Sequence, residues 1–427
     1  MCGLRVVHHD LEVHFDPEHH GLVAADRLYT SGDSSEFLFY LGKRLAVSEA
    51  TQGGRRLGVE VAEDRRSSTR YRLRGWDPLG AEVVLKWEGT IERFEGAKVC
   101  IISPRLVELS GFGRWFPTIE STSYLERFTY RLDVDLPARW DLATPGISDR
   151  GNPKERHYER LRPIEDIFIC AAPSFQCDEV IVSDHLYRLY TAGLRDHERK
   201  AVALDFSRSL DAMHRHFGPM MPGRGGTAVI SPRGADGAEW GFERGDMWVM
   251  GDAMVRPLVE NNWILDSFAP GQMSLALHET IHFWIGLGLE FSEPSLPEAI
   301  TQYLQNVLGE EMFGDPDLAG RYFQSYVPRI KEQLAQDDRP IMDVAFTDNF
   351  YVQWYLKGSW ALWDLEASTG RTPLLRALGD LYRKHAGRCI DYDTVANELA
   401  SSLGPELHEH LRYWFKEGGF APIHRRI

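Results

Sequence analysis

His278-Glu279-Thr280-Ile281-His282 is the stretch of this chain best equipped for chemistry. On a helix, residues i and i+4 share one face about a turn apart, so both imidazoles can reach the same metal ion. That is zinc-ligand spacing. Glu279 follows the first histidine directly, which sets its carboxylate beside the metal, where it can take a proton from an activated water and pass it on. The competing reading is an amphipathic helix whose two polar histidines are satisfied by neighbours.

Catalytic zinc takes three protein ligands and keeps one position open, so a third His, Asp or Glu should follow. Glu290, Glu293 and Glu298 all qualify. Glu298 opens the next apolar-periodic stretch (Ile300, Tyr303, Leu304, Val307, Leu308), and a ligand on a helix is better positioned than one on a loop. Against it, Ser295-Leu296-Pro297-Glu298 fits a Ser-x-x-Glu capping box, in which Glu298 would only cap its own helix. Residue types and spacing leave the two roles open.

His282-Phe283-Trp284-Ile285-Gly286, and Leu296-Pro297-Glu298-Ala299 with Tyr303 after it, resemble the active-site segment of the gluzincin aminopeptidases. That family includes aminopeptidase N, puromycin-sensitive aminopeptidase and the leukotriene hydrolase. Tyr355-Leu356-Lys357-Gly358 resembles the family's Tyr-x-Lys-Gly segment, His9 to Leu22 its opening strand, and Gly113 to Pro117 its Trp-Tyr-Pro segment. The resemblance implies one zinc per chain held by His278, His282 and Glu298, with Glu279 as base. It also implies that Tyr355 is a catalytic phenol, whose hydroxyl can hydrogen-bond the oxyanion formed on a carbonyl, a donor worth about 3 kcal/mol of barrier. Taken from composition alone, Tyr355 is a half-buried aromatic among Phe350, Tyr351, Trp354, Trp360 and Trp363.

The pattern departs from the family in two places. Where relatives carry Gly-Ala-Met-Glu-Asn, whose glutamate grips a peptide's free amine, this chain reads Gly251-Asp252-Ala253-Met254-Val255-Arg256-Pro257. Val255 in the glutamate's place cannot pair an ammonium, and a guanidinium at Arg256 would repel one. Met254, Val255 and Arg256 are therefore expected to line an altered substrate site, with Arg256 available for a carboxylate, phosphate or amide oxygen or for a local salt bridge. Glu298 also follows His282 after fifteen residues rather than the family's eighteen, which implies a trimmed loop.

These residues need a scaffold of some size. At 427 residues the chain exceeds one hydrophobic core, and two domains are expected, 1–185 and 186–427. The first half carries short β-type runs (Leu11 to Phe15, Glu36 to Leu41, Val83 to Trp87, Lys98 to Ile102, Phe128 to Val134, Ile167 to Ala171), which predicts an antiparallel β-domain. Beyond 185 the spacing turns helical over Ala201–Phe217, Gln272–Leu287, Pro297–Phe313, Phe350–Ser368, Pro373–Lys384 and Glu406–Phe415. Strands are expected at Thr227–Ser231 and Met247–Met250. The fold class is thus an N-terminal antiparallel β-domain followed by a mixed α/β part with a helical C-terminal lobe, and the family resemblance makes that second part thermolysin-like.

Acidic residues outnumber basic ones 63 to 48, a net charge of −15 that repels phosphate backbones and anionic lipid. No nucleic-acid or membrane partner is expected. Five scattered cysteines without a Cys-x-x-Cys pair suggest a reducing compartment, and with no leader-like segment the reading is cytoplasmic. The histidines crowding the first twenty residues read as polar positions on strands and a turn, and the acidic group Glu310, Glu311, Asp315 and Asp317 as solvated surface. No Gly-x-Ser-x-Gly elbow is present, which disfavours a covalent hydrolase. The leading expectation is a zinc metallohydrolase cleaving a peptide or small-molecule amide. Its rivals are a zinc enzyme acting on a non-peptide metabolite and a catalytically silent binding protein of the same fold. Homo-oligomerisation is left open.

Overall fold

The computed structural model describes residues 4–32, 34–80, 82–93, 100–119, 127–148, 156–221, 226–234, 241–255, 275–345 and 350–420. The chain forms two compact units that do not meet at a single cut. The first comprises Met1–Asp178, Arg188–Leu194 and Thr227–Met254, and the second Glu179–Tyr187, Arg195–Gly226 and Val255–Ile427.

In the first unit an eight-stranded sheet is ordered Ile147–Ser148, His157–Ile164, Phe128–Asp135, Arg5–Asp16, Gly21–Ser31, Glu82–Thr90, Leu45–Gln52 and Arg55–Arg56. Its pairs are antiparallel apart from Arg5–Asp16 against Phe128–Asp135, which run parallel with Leu11 opposite Leu132. The β-rich reading therefore holds, with one parallel pair that local alternation gives no means of finding. Period-two burial explains the sheet: Leu11, Val13 and Phe15 point inward, and Glu12 and His14 between them point out. Smaller sheets from Phe37–Gly42, Ser68–Arg74 and Gly58–Asp64, and from Asp141–Ala143, Ile169–Ala172, Leu106–Leu109 and Ile101–Ser103, complete a core that includes Trp87, Trp115 and Phe39. Residues 98 and 99 of one expected strand lie outside the described residues. Thr227–Ser231 and Met247–Gly251 are strands, paired in parallel.

The five N-terminal histidines sit on strands and a turn as expected, each hydrogen-bonded through Nδ1. Their partners are Thr129 (His8), Asp26 (His9), Asp135 (His14), Asp16 (His19) and the Ile102 carbonyl (His20). His9 and Asp26 are both buried, 2.6 Å apart.

The second unit is helical: Asp196–Phe217, Leu275–His282, Ser295–Phe313, Leu318–Leu334, a π-helical turn Val352–Lys357 running into Gly358–Thr369, then Arg371–His385, Tyr392–Leu403 and Leu407–Lys416. Ser295–Phe313 is buried almost all round and packs against Leu275–His282, Leu318–Leu334 and the helix bearing the π-turn, as expected of a helix apolar on every side. Among the described residues two long helices escape the sequence reading, Leu318–Leu334, which carries Pro328 in its interior, and Tyr392–Leu403. The expected helix through Leu287 ends instead at His282, because Gly286 adopts a left-handed φ of 109° and its N–H bonds the Leu289 carbonyl in a tight turn. The acidic group is not simply solvated surface: Glu310 is buried, accepts the Ala319 N–H and pairs with Arg371, while Glu311 pairs with Arg215 and His216. Among the described residues no helix is long and apolar enough to cross a membrane.

Candidate metal centre

His278 and His282 occupy successive turns of Leu275–His282, and both are buried. Their Nε2 atoms lie 3.2 Å apart. Glu298, in the first turn of Ser295–Phe313, brings Oε2 to 3.5 Å from each of them. Two ligands bound at about 2.05 Å to a tetrahedral zinc are separated by about 3.3 Å, so three atoms spaced in this way outline one face of a zinc coordination shell.

The donors also face correctly. His278 Nδ1–H donates to Gln305 Oε1 at 3.0 Å and His282 Nδ1–H to the Ile285 carbonyl at 3.0 Å. Each bond fixes the ring and leaves the Nε2 lone pair directed at the shared point. Burial pushes the Glu298 carboxyl up, but the charge and N–H groups of His282 and His278, when those rings are protonated, outweigh it and hold the group well below the usual carboxylate range. Among the described residues Oε2 of Glu298 is buried without a hydrogen-bond donor, the condition of a ligand atom whose partner is a cation.

Glu298 does not cap its helix. Among the described residues no side chain caps the start of Ser295–Phe313, and the Ser295 hydroxyl is buried without a partner. Of the other two candidates, Glu293 accepts the Tyr392 N–H and the Ser292 hydroxyl, and Glu290 is buried on a short strand, Glu290–Phe291, paired with Cys389–Ile390. Glu279, the residue after the first histidine, is 4% exposed.

Tyr355 stacks on His278, with ring centroids 5.5 Å apart and planes 11° from parallel. It belongs to the π-turn Val352–Lys357, a wider turn that re-aims side chains within an otherwise regular helix. Gly358 ends that turn against Ser295–Phe313 so closely that a Cβ there would meet the Ala299 Cβ at 2.7 Å. The glycine thus lets the tyrosine helix approach the helix of the third donor. Sequence reasoning passed over Gln305; its signal was the seven-residue spacing from Glu298, two turns along the same face.

Of the three expected substrate residues, Met254 is half-buried and Val255 is buried at the end of a short helical stretch, 252–255. Arg256 lies outside the described residues.

No model of a known family and no curated protein sequence matches the chain. Solved structures do. An M1 zinc metallopeptidase from Deinococcus radiodurans aligns at a TM-score of 0.73 and 18% identity over 100% of this chain and 97% of its own. A mutant of that metallopeptidase bound to a Tyr-Ser-Ala substrate aligns at 0.72 and 17%, over 100% of this chain and 97% of its own. Native yeast LTA4 hydrolase aligns at 0.72 and 16%, covering 98% of this chain and 69% of its own. The chain therefore has the fold of the M1 zinc metallopeptidases and of LTA4 hydrolase, as the motif resemblance implied.

Proposed function

We propose that this protein is a zinc-dependent hydrolase of peptide or amide bonds. The observation that carries the reading is the triangle of His278 Nε2, His282 Nε2 and Glu298 Oε2, with edges of 3.2, 3.5 and 3.5 Å. Zinc held there by one carboxylate and two neutral imidazoles would polarise a carbonyl and lower the pKa of water. Glu279, adjacent to the first ligand and buried, accepts the proton from the attacking water and returns it to the leaving nitrogen. The phenol of Tyr355, stacked on a ligand ring, donates a hydrogen bond to the oxyanion. Met254, Val255 and Arg256 select the substrate. A buried valine offers shape and no charge, so recognition of a free α-amine is lost from this position. Peptide hydrolysis in this reading does not depend on an N-terminal ammonium.

Metal analysis of the purified chain should return one zinc. Glu279→Gln should keep that zinc and lose at least a thousandfold in turnover of a peptide library; full activity in the variant would remove the base from the mechanism.

The buried valine also favours a second reading, a zinc hydrolase acting on a non-peptide electrophile. Turnover of acyl and epoxide substrates, with none of amides, would select it.

A further inference from the structure

Beyond Tyr355 the stacked rings continue outward. Tyr351 lies against Tyr355, with centroids 5.1 Å apart and planes 28° from parallel, and it is 37% exposed. The guanidinium carbon of Arg329, from Leu318–Leu334, sits 5.3 Å from the Tyr351 ring centroid. Arg329 is exposed, and no carboxylate pairs with it among the described residues. In a chain where acids outnumber bases, an arginine held over a ring with no carboxylate beside it among the described residues is out of keeping with its surroundings. A guanidinium held over a ring keeps N–H donors to offer, and two parallel N–H donors match a carboxylate.

We propose, resting on the hydrolase reading, that Tyr351 and Arg329 form a subsite for a substrate carboxylate: the free C-terminus of a short peptide or acylated amino acid whose scissile carbonyl lies near His278. The exposed part of Tyr351 contacts an aromatic or apolar side chain, and Arg329 takes the carboxylate beside it. The two ring-to-ring steps from His278 to Tyr351 suit one to three residues of extended chain at roughly 3.3–3.6 Å per residue. Selection would then act on the negative end of the substrate, opposite to the amine anchor that Val255 does not supply.

The test is calorimetric titration of zinc-loaded Glu279→Gln full-length protein, which prevents turnover, with N-acetyl-alanyl-phenylalanine and with its C-terminal amide. The acid should bind about tenfold or more tightly than the amide, and this ratio should fall to about one when Arg329→Gln is added. Arg329→Lys should retain part of the preference, and raising the salt concentration should weaken it. Zinc content, which the subsite does not control, reports that each variant is folded. Equal affinities for acid and amide, a preference that survives Arg329→Gln, or no binding of either compound would overturn the subsite. Failure of the hydrolase reading shows separately, as wild-type zinc-loaded protein that turns over none of these compounds while the titration still reads the carboxylate preference.

Discussion

Five histidines crowd the first twenty residues, in the first unit, yet the convergent pair is in the second. His9, His14 and His157 each face a carboxylate of their own, Asp26, Asp135 and Asp133, at 2.6, 2.6 and 2.5 Å. His278 and His282 instead share a single carboxylate oxygen, and their other nitrogens are held by the neutral acceptors Gln305 and Ile285. The contrast follows from backbone period. A strand turns successive side chains to opposite faces, so His8 and His9 diverge and each finds a cross-strand partner. A helix returns to the same face after four residues, so two rings meet at one point. Number of histidines therefore says little about metal binding, and a common focus says much.

Matched substitutions should break the comparison most sharply. His282→Ala should abolish zinc binding in metal analysis and lower turnover by at least ten-thousandfold, while His14→Ala should leave both unchanged. Next in size, His9→Ala strands Asp26 in the core and should cost about 3 kcal/mol in urea unfolding with zinc content intact; the reverse outcome would assign His9 a ligand role. Gln305→Leu should weaken zinc affinity about 10- to 100-fold in chelator competition, because the hydrogen bond that orients His278 and raises its basicity is lost.

The smallest effect concerns a buried cation away from both groups of histidines. Lys357, fully buried at the end of the π-turn, is pushed down to about 8 by desolvation, with Asp338 and Asp337 pulling the other way. Between about pH 8 and 10.5 the unfolded chain keeps a proton that the native chain has released, so this group's contribution to stability rises with pH across that window. Below pH 8 the native state carries the whole penalty. Lys357→Met should accordingly stabilise the protein by on the order of 1–2 kcal/mol at pH 7, with the gain shrinking towards pH 10.5 in a series of unfolding curves.

Much of the scaffold was legible because its periods are clean. Strand alternation marked Leu11 to Phe15 and Phe128 to Val134, and helical spacing marked the stretches ending at Phe217 and Phe313. Reading failed where local signals conflict with packing. Pro328 obscured a helix that tolerates it, Gly286 cut short one that apolar spacing prolonged, and Glu310 became buried because Arg371, far along the chain, folds onto it.

For the centre itself, the amino-acid order determined the pairing of His278 with His282 and the place of Glu279, since one helical turn is a local property of the backbone. It could not choose among Glu290, Glu293 and Glu298, nor free Glu298 from a capping role. Those outcomes depend on how Ser295–Phe313 crosses Leu275–His282 and on Gly358 admitting the tyrosine helix beside it. Contacts between segments distant in sequence are fixed by packing of whole helices, and only the folded chain decides them.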